Sequence, residues 1–250
     1  MTPANTHAMR FRPTIVIPAA GLGSRFAAEA AGNVGTAGHK LEQRFGASTV
    51  LGSTLRNAIE SQLPVVVVTT AALAPLAARQ LALRDIVVVT DEQAARGMGH
   101  TLSLGVAERS GAPGWLVLPA DMPLVRPGTL LAVARALEQH AVVYAQYRGR
   151  RGHPVGFAAE LYSELVMLTG DDGARRVMLR YPAHGEDVED AGTLLDIDTV
   201  ADLAAVRSAG GKGGGTGGGT GGGSGGGTGG GTGGGTGGGA GGGTEAVPLK

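Results

Sequence analysis

An α/β fold, with a mainly parallel sheet between two layers of helices, is predicted by three features of the chain. Short β-branched runs alternate with helix-patterned segments. Those runs are apolar throughout, as in strands buried on both faces. Polar, glycine-rich stretches follow most of them. Strands are expected at residues 14–18, 65–69, 86–90, 115–119 and 142–146, and helices at 54–62, 72–82, 98–109 and 127–139. In the last helix Leu130, Ala134 and Leu137 share one face, and Pro127 suits a first helical turn. Ligands on such sheets bind beyond the carboxyl ends of the strands. This selects the stretches 21–40, 91–99, 121–123 and 149–153 as carriers of chemistry.

Composition sets the boundaries. Much of the glycine lies in a terminal tract, residues 210–243, written mostly as three glycines and one Thr, Ser or Ala. Such a tract has almost no side chain to bury and is expected to be a disordered tail over 209–250. With a short extension at 1–12, one folded domain is expected at 13–208. Lys plus Arg equals Asp plus Glu at 21 each, and aromatic residues make up 4%. Neither a general pull toward nucleic acid or anionic membrane nor base-stacking surfaces are implied. With no cysteine, disulfides, zinc-thiolate sites and cysteine nucleophiles are excluded. The apolar runs are too short to span a bilayer and the first twelve residues lack a signal-peptide core, so a soluble, cytoplasmic protein is expected.

The first strand runs Ile15-Val16-Ile17-Pro18-Ala19-Ala20 into Gly21-Leu22-Gly23-Ser24-Arg25-Phe26, with Lys40 further on. Small residues at a strand end let backbone N–H groups approach a polyphosphate, and Arg25 and Lys40 supply positive charge. The spacing is neither the dinucleotide fingerprint nor a P-loop. An ordinary strand-to-helix turn is the competing reading.

Asp121 follows Trp115-Leu116-Val117-Leu118-Pro119-Ala120, so its carboxylate emerges at the ligand edge, where Mg²⁺ could hold phosphate oxygens. The competing reading is an Asp that caps a turn. Near the end, Leu194-Leu195-Asp196-Ile197-Asp198-Thr199 reads as a short strand-like segment whose alternation places both acids on one face. Thr199 with Asp202 also reads as a capping box. Arg148, Arg150 and Arg151 with His153 form a local basic cluster suited to a substrate phosphate, or a solvated turn. His153 precedes a proline, which favours extended backbone, and by itself reads as a surface histidine. His100 lies at an expected helix N-terminus, where backbone N–H groups can bind an anion.

Taken together, Pro18-Ala19-Ala20-Gly21-Leu22-Gly23-Ser24-Arg25-Phe26 with Lys40, Ala120-Asp121-Met122-Pro123 and Asp196-Ile197-Asp198-Thr199 resemble the nucleotidyltransferase family of sugar-nucleotide pyrophosphorylases and molybdopterin nucleotidyltransferases. The segments 97–105 and 148–157, with Thr169-Gly170-Asp171-Asp172-Gly173-Ala174-Arg175, resemble its molybdenum cofactor cytidylyltransferase branch. The resemblance implies a nucleotide-diphospho-sugar transferase-like, Rossmann-like sheet. It implies that Ala19, Ala20, Gly21, Gly23, Ser24, Arg25 and Lys40 bind the nucleotide, with Arg25, Lys40 and Asp121 catalytic. Asp121 and Asp198 would be the Mg²⁺ ligands, with Asp196 in support. Gly97, Gly99, His100, Ser103, Arg151, Gly152, His153 and Pro154 would hold the pterin substrate. Ala19-Ala20-Gly21, where the guanylyltransferase branch carries Ala-Gly-Gly, favours CTP. The stretch 27–38 is longer than the family's loop, which leaves His39 and Arg44 as other cations for the phosphate.

The implied reaction is transfer of CMP from CTP to the phosphate of a molybdopterin, with release of pyrophosphate. Two alternatives stand beside it: transfer to a sugar phosphate or other phosphorylated metabolite, and a non-catalytic chaperone delivering the molybdenum cofactor to a molybdenum hydroxylase.

Overall fold

A computed structural model of the chain describes residues 11–21, 23–30 and 38–211. In chain order the strands are β1 (Thr14–Ala19), β2 (Arg44–Phe45), β3 (Ser48–Thr49), β4 (Val65–Thr70), β5 (Ile86–Val89), β6 (Gly114–Val117), β7 (Val142–Tyr147), β8 (Arg150–Ala158) and β9 (Ala183–Asp187). The helices are α1 (Ser24–Ala30), α2 (Val50–Glu60), α3 (Ala74–Ala77), α4 (Asp91–Ala94), α5 (Met98–Glu108), α6 (Pro127–Ala136), α7 (Tyr162–Leu165), α8 (Arg175–Arg180) and α9 (Val200–Gly211). Seven strands form one sheet in the order β5-β4-β1-β6-β8-β7-β9, and β2 pairs with β3 apart from it.

Alternation along the strands divides the core in two. Ile15 and Ile17 of β1 face a cluster with Leu51 and Leu55 of α2, Leu130 and Val133 of α6, and Leu203 and Val206 of α9. Val16, between them, faces the other side, with Leu102 and Val106 of α5, Leu165 of α7 and Val177 of α8. Because helices cover both faces, β1, β4 and β6 are largely apolar on both, which is why those strands were legible as continuous runs. The expected three-layer α/β class is the observed one. Gly105 lets α5 lie close on the sheet: a Cβ there would stand 2.5 Å from Val16 Cγ1.

Several elements differ from expectation. The stretch 149–153 is not a loop: the turn is Arg148-Gly149, and Arg151, Gly152, His153 and Pro154 lie within β8. Arg148 and Gly149 both have positive φ, 49° and 75°, the backbone of a two-residue hairpin. β8 therefore runs antiparallel to both β6 and β7. The helix expected at 72–82 is only the single turn Ala74–Ala77. Ala77 is its one buried residue, with Leu73 buried just before it, and so narrow an apolar face does not sustain further turns. The segment 194–199 joins no strand; it leaves a 3-10 turn, Ala191–Leu194, as irregular chain. Its alternation nevertheless holds, with Ile197 fully buried between Asp196 and Asp198. Thr199 and Asp202 do form the expected capping box: Asp202 N donates to Thr199 Oγ1 at 3.0 Å and Thr199 N to Asp202 Oδ2 at 2.8 Å. Residues 1–10 of the expected extension and the tail beyond Gly211 lie outside the described residues.

Candidate active site

Lys40, Asp121 and Asp198 meet although 158 positions separate the first from the last. Lys40 Nζ lies 2.5 Å from Asp121 Oδ2 and 3.0 Å from Asp198 Oδ1. Burial opposes charge on this ammonium, but Asp121 and then Asp198 outweigh it, so its pKa is raised above 10.5 and the lysine stays charged. Asp196 stands at the margin of the cluster. Partial burial, reinforced by Asp198 and Asp121, raises it to about 6.

The positions of the acids follow from the main chain. Ile197 N donates to Asp121 O at 3.1 Å, tying the two acidic segments together. On α2, Thr54 Oγ1 donates to Ala120 O at 2.9 Å, and Asn57 Nδ2 to Pro123 O and Val125 O, both at 2.9 Å. Asp121 thus sits in a turn held on either side by side chains of one helix.

A second support is Asp190, which is 3% exposed. Its Oδ2 accepts from Arg126 N at 2.8 Å and Thr129 Oγ1 at 2.7 Å, and its Oδ1 from Gly192 N at 3.0 Å. It joins the start of α6 to the 3-10 turn that leads into Asp196 and Asp198. Neither this hub nor the pair on α2 was foreseen. The available signals were a polar Thr54 and Asn57 one turn apart on an otherwise apolar helix face, and an Asp-x-Gly turn just before the acids.

Ala19 and Ala20 are buried at the end of β1, and Gly21 is exposed beyond them. Gly23 has φ +60, and a Cβ there would press on His39 Nε2 and Lys40 Cγ, each at 3.4 Å. The glycine turn therefore lies against the aliphatic stem of Lys40. Leu22 and the side chains of Ser24 and Arg25 lie outside the described residues. Of the three alternative cations, Lys40 is the one that meets the carboxylates. His39 Nε2 hydrogen-bonds Gly21 O at 2.8 Å, and exposed Arg44 directs Nε to Gly46 O at 3.4 Å.

Reversal of β8 brings its first half to the same edge. Val155 pairs with Val117 at the end of β6, so Pro154 and His153 continue past that strand on the side where Asp121 emerges. His153 is half-buried, not a surface residue. Burial lowers its pKa to about 4, although Asp121 pulls the other way. Gly152 permits close approach of the Asp190 turn: a Cβ there would stand 2.4 Å from Thr193 O. Arg151 lies over the Tyr144 ring at 4.8 Å, and Arg148 over Tyr147 at 5.1 Å, geometry that orients a guanidinium while leaving its donors exposed.

The other expected substrate segment gathers around a different partner. Gly97, at φ +93, and Gly99 admit the backbone of the 169–171 turn: a Cβ on Gly97 would stand 2.4 Å from Gly170 C, and one on Gly99 2.8 Å from Thr169 O. Gly99 N donates to Gly170 O at 2.8 Å, and Gly170 N to Arg96 O at 2.9 Å. His100 Nε2 lies 3.5 Å from Arg96 Nη1; burial and then that cation lower its pKa. Ser103 is buried and donates to His100 O at 2.8 Å.

A doubly covered α/β sheet with a glycine turn, a lysine and paired aspartates at the carboxyl edge defines a nucleotidyltransferase of the MobA type. The MobA-like NTP transferase domain model matches residues 15–186, and the chain belongs to that family. Purine catabolism protein PucB of Bacillus subtilis (strain 168) is 37% identical over 125 residues, 47% of this chain. That match spans 60% of PucB, less than two thirds of it. Rv0371c from Mycobacterium tuberculosis H37Rv superposes with a TM-score of 0.65 at 26% identity, covering 79% of this chain and 98% of that one. Its complex with manganese superposes at 0.63, with 25% identity and the same coverage. A nucleotidyl transferase from Methanothermobacter thermautotroptrophicus has the same fold, with a TM-score of 0.66 at 23% identity over 79% of this chain and 97% of that one.

Proposed function

We propose that the chain transfers CMP from CTP to the terminal phosphate of a molybdopterin, releasing pyrophosphate, with Mg²⁺ held by Asp121 and Asp198. The observation that carries this reading is the convergence of the two carboxylates on one cationic position, the Lys40 ammonium, beside the glycine turn. Oxygen donors that close on one cation suit a hard metal. Mg²⁺ is commonly held by one or two carboxylates together with substrate phosphates and water, a set to which Asp121 and Asp198 would contribute the carboxylates. Bound there, Mg²⁺ supplies charge neutralisation for the phosphate oxygens. The manganese complex of Rv0371c supports a divalent cation in this fold.

Each residue then has a defined task. The backbone of Gly21 and Gly23 approaches the triphosphate, and Arg25 and Lys40 stabilise charge on the departing pyrophosphate. A bond forms from the acceptor phosphate oxygen to the α-phosphorus as the bond from α-phosphorus to the β-phosphate's bridging oxygen breaks. The acceptor oxygen is already ionised at neutral pH, so the chain need not supply a general base. Arg151 and His153, on the adjoining strand, face the acceptor; His153 enters as a neutral imidazole. CTP is favoured by the likeness of Ala19-Ala20-Gly21 to the cytidylyltransferase branch.

Pyrophosphate release from CTP or GTP, with Mg²⁺ and molybdenum-loaded molybdopterin, tests the proposal. Release with CTP alone is expected. Release with GTP instead would move the chain to the guanylyltransferase branch. No release with either would leave a different phosphorylated acceptor or a cofactor chaperone.

A further inference from the structure

His39 bonds through both ring nitrogens, each to a different part of the site. Nδ1 accepts from Leu41 N at 3.2 Å, capping the 3-10 turn Lys40–Glu42, and Nε2 meets Gly21 O at 2.8 Å. Glu42 closes the cap, its Oε2 accepting from His39 N at 3.1 Å. Since Nδ1 is an acceptor, Nε2 must carry the proton and donate it to the Gly21 carbonyl. The ring also fills the space above Gly23, whose absent Cβ would stand 3.4 Å from Nε2.

We propose that His39 is a positioning residue that locks the glycine turn to Lys40, so that backbone donors and ammonium present one preformed triphosphate site. The Gly21 carbonyl meets the imidazole, so the ring fixes where that carbonyl points. The same ring sets the turn that aims Lys40 at Asp121 and Asp198. The inference rests on the nucleotide-binding reading of this edge and adds a residue whose ring bonds within the protein to Gly21 and Leu41. Preorganisation of this kind acts on affinity by lowering the ordering cost of binding.

Two amide substitutions separate the ring's two bonds. His39→Gln places an amide N–H near the Nε2 position and retains the tie to Gly21. His39→Asn retains an N-terminal cap for Leu41 N but does not reach Gly21. Equilibrium binding of CTP and of GTP to the full chain with Mg²⁺ is measured by calorimetry, beside the thermal midpoint. Each variant keeps one of the two bonds, so both are expected to bind nucleotide about tenfold more weakly than wild type, the net worth of one hydrogen bond. Wild-type affinity in the Asn variant leaves His39 a cap only, wild-type affinity in the Gln variant leaves it a tie to Gly21 only, and either result overturns the brace. Absence of nucleotide binding by the wild-type chain overturns the nucleotide reading itself, and the brace with it.

Discussion

The carbonyl of Asp121 accepts the amide proton of Ile197 at 3.1 Å, so the turn after β6 and the segment before α9 are joined by a main-chain bond as well as through Lys40. Ile197 is fully buried and anchors that bond from below. The relative placement of Asp121 and Asp198 therefore does not rest on their ion pairs with Lys40 alone.

Asp121→Asn is expected to abolish transfer while leaving the fold intact. Its backbone bond to Ile197 persists, and Lys40 keeps Asp198 at 3.0 Å. Loss of one preorganised electrostatic group predicts a fall in kcat of roughly 10²–10³-fold. Turnover equal to wild type in a pyrophosphate-release assay would remove Asp121 from the site.

Asp190→Ala is expected to cost about 3 kcal/mol, because the Arg126 amide, Thr129 hydroxyl and Gly192 amide all lose a buried acceptor. Asp190→Asn retains one carbonyl oxygen and should cost less. Urea unfolding read by circular dichroism orders the two variants; equal stability of Asp190→Ala and wild type would mean water replaces the carboxylate without loss.

Two glycines supply a steric contrast. Gly99→Ala drives a Cβ to 2.8 Å from the Thr169 carbonyl, and since backbone must shift to relieve it, a loss of roughly 1–3 kcal/mol is expected. Gly128 lies in α6, where a side-chain methyl would meet nothing within 4 Å. There Ala should stabilise by about 0.5–1 kcal/mol. A thermal midpoint of Gly99→Ala at or above that of wild type would contradict the packing of α5 on the 169–171 turn, and a lowered midpoint of Gly128→Ala would contradict the open space at that position.

His153 and Asp196 set opposing pH dependences. His153 titrates at about 4 in the fold against 6.5 ordinarily, so the unfolded chain binds its proton first and stability falls as pH drops from about 6.5 to about 4. Asp196 titrates at about 6 against 3.8. Its proton is bound first by the folded chain, and stability rises as pH drops from about 6 to about 3.8. The two slopes partly cancel in the wild type. His153→Gln should make the chain relatively more stable toward pH 4, and Asp196→Asn relatively less stable there than at pH 7. Denaturant midpoints across pH 4–7 read this, and parallel profiles for the three proteins would refute it.

Legibility in the sequence tracked burial. β1, β4 and β6 stand between two helical layers and read as unbroken apolar runs, so their placement and the loops beyond them were recoverable. β8 opens Arg150-Arg151-Gly152-His153-Pro154, polar residues that resemble a loop because one end of the strand projects into the site. Asp196 and Asp198 were correctly placed on one side by alternation, although no strand forms there. The direct pairing of Lys40 with Asp121 and Asp198 was not readable from the pattern of residues, because it depends on Asn57, Thr54 and Asp190 bending distant turns toward one point. His39 was visible only as a competing cation; its role as a two-sided ligand of backbone groups needs the third dimension.

The reversed strand divides the sheet into unequal halves with a seam between β6 and β8. On one side lie β1, which leads into the glycine turn, and the strands parallel to it; on the other lies the β7–β8 hairpin bearing Arg148 and Arg151, with β9 beyond it. The proposed donor and acceptor thus approach from different halves and meet where Asp121 and His153 face across the join. Changes in the hairpin can reshape what is received without disturbing the register that holds what is given.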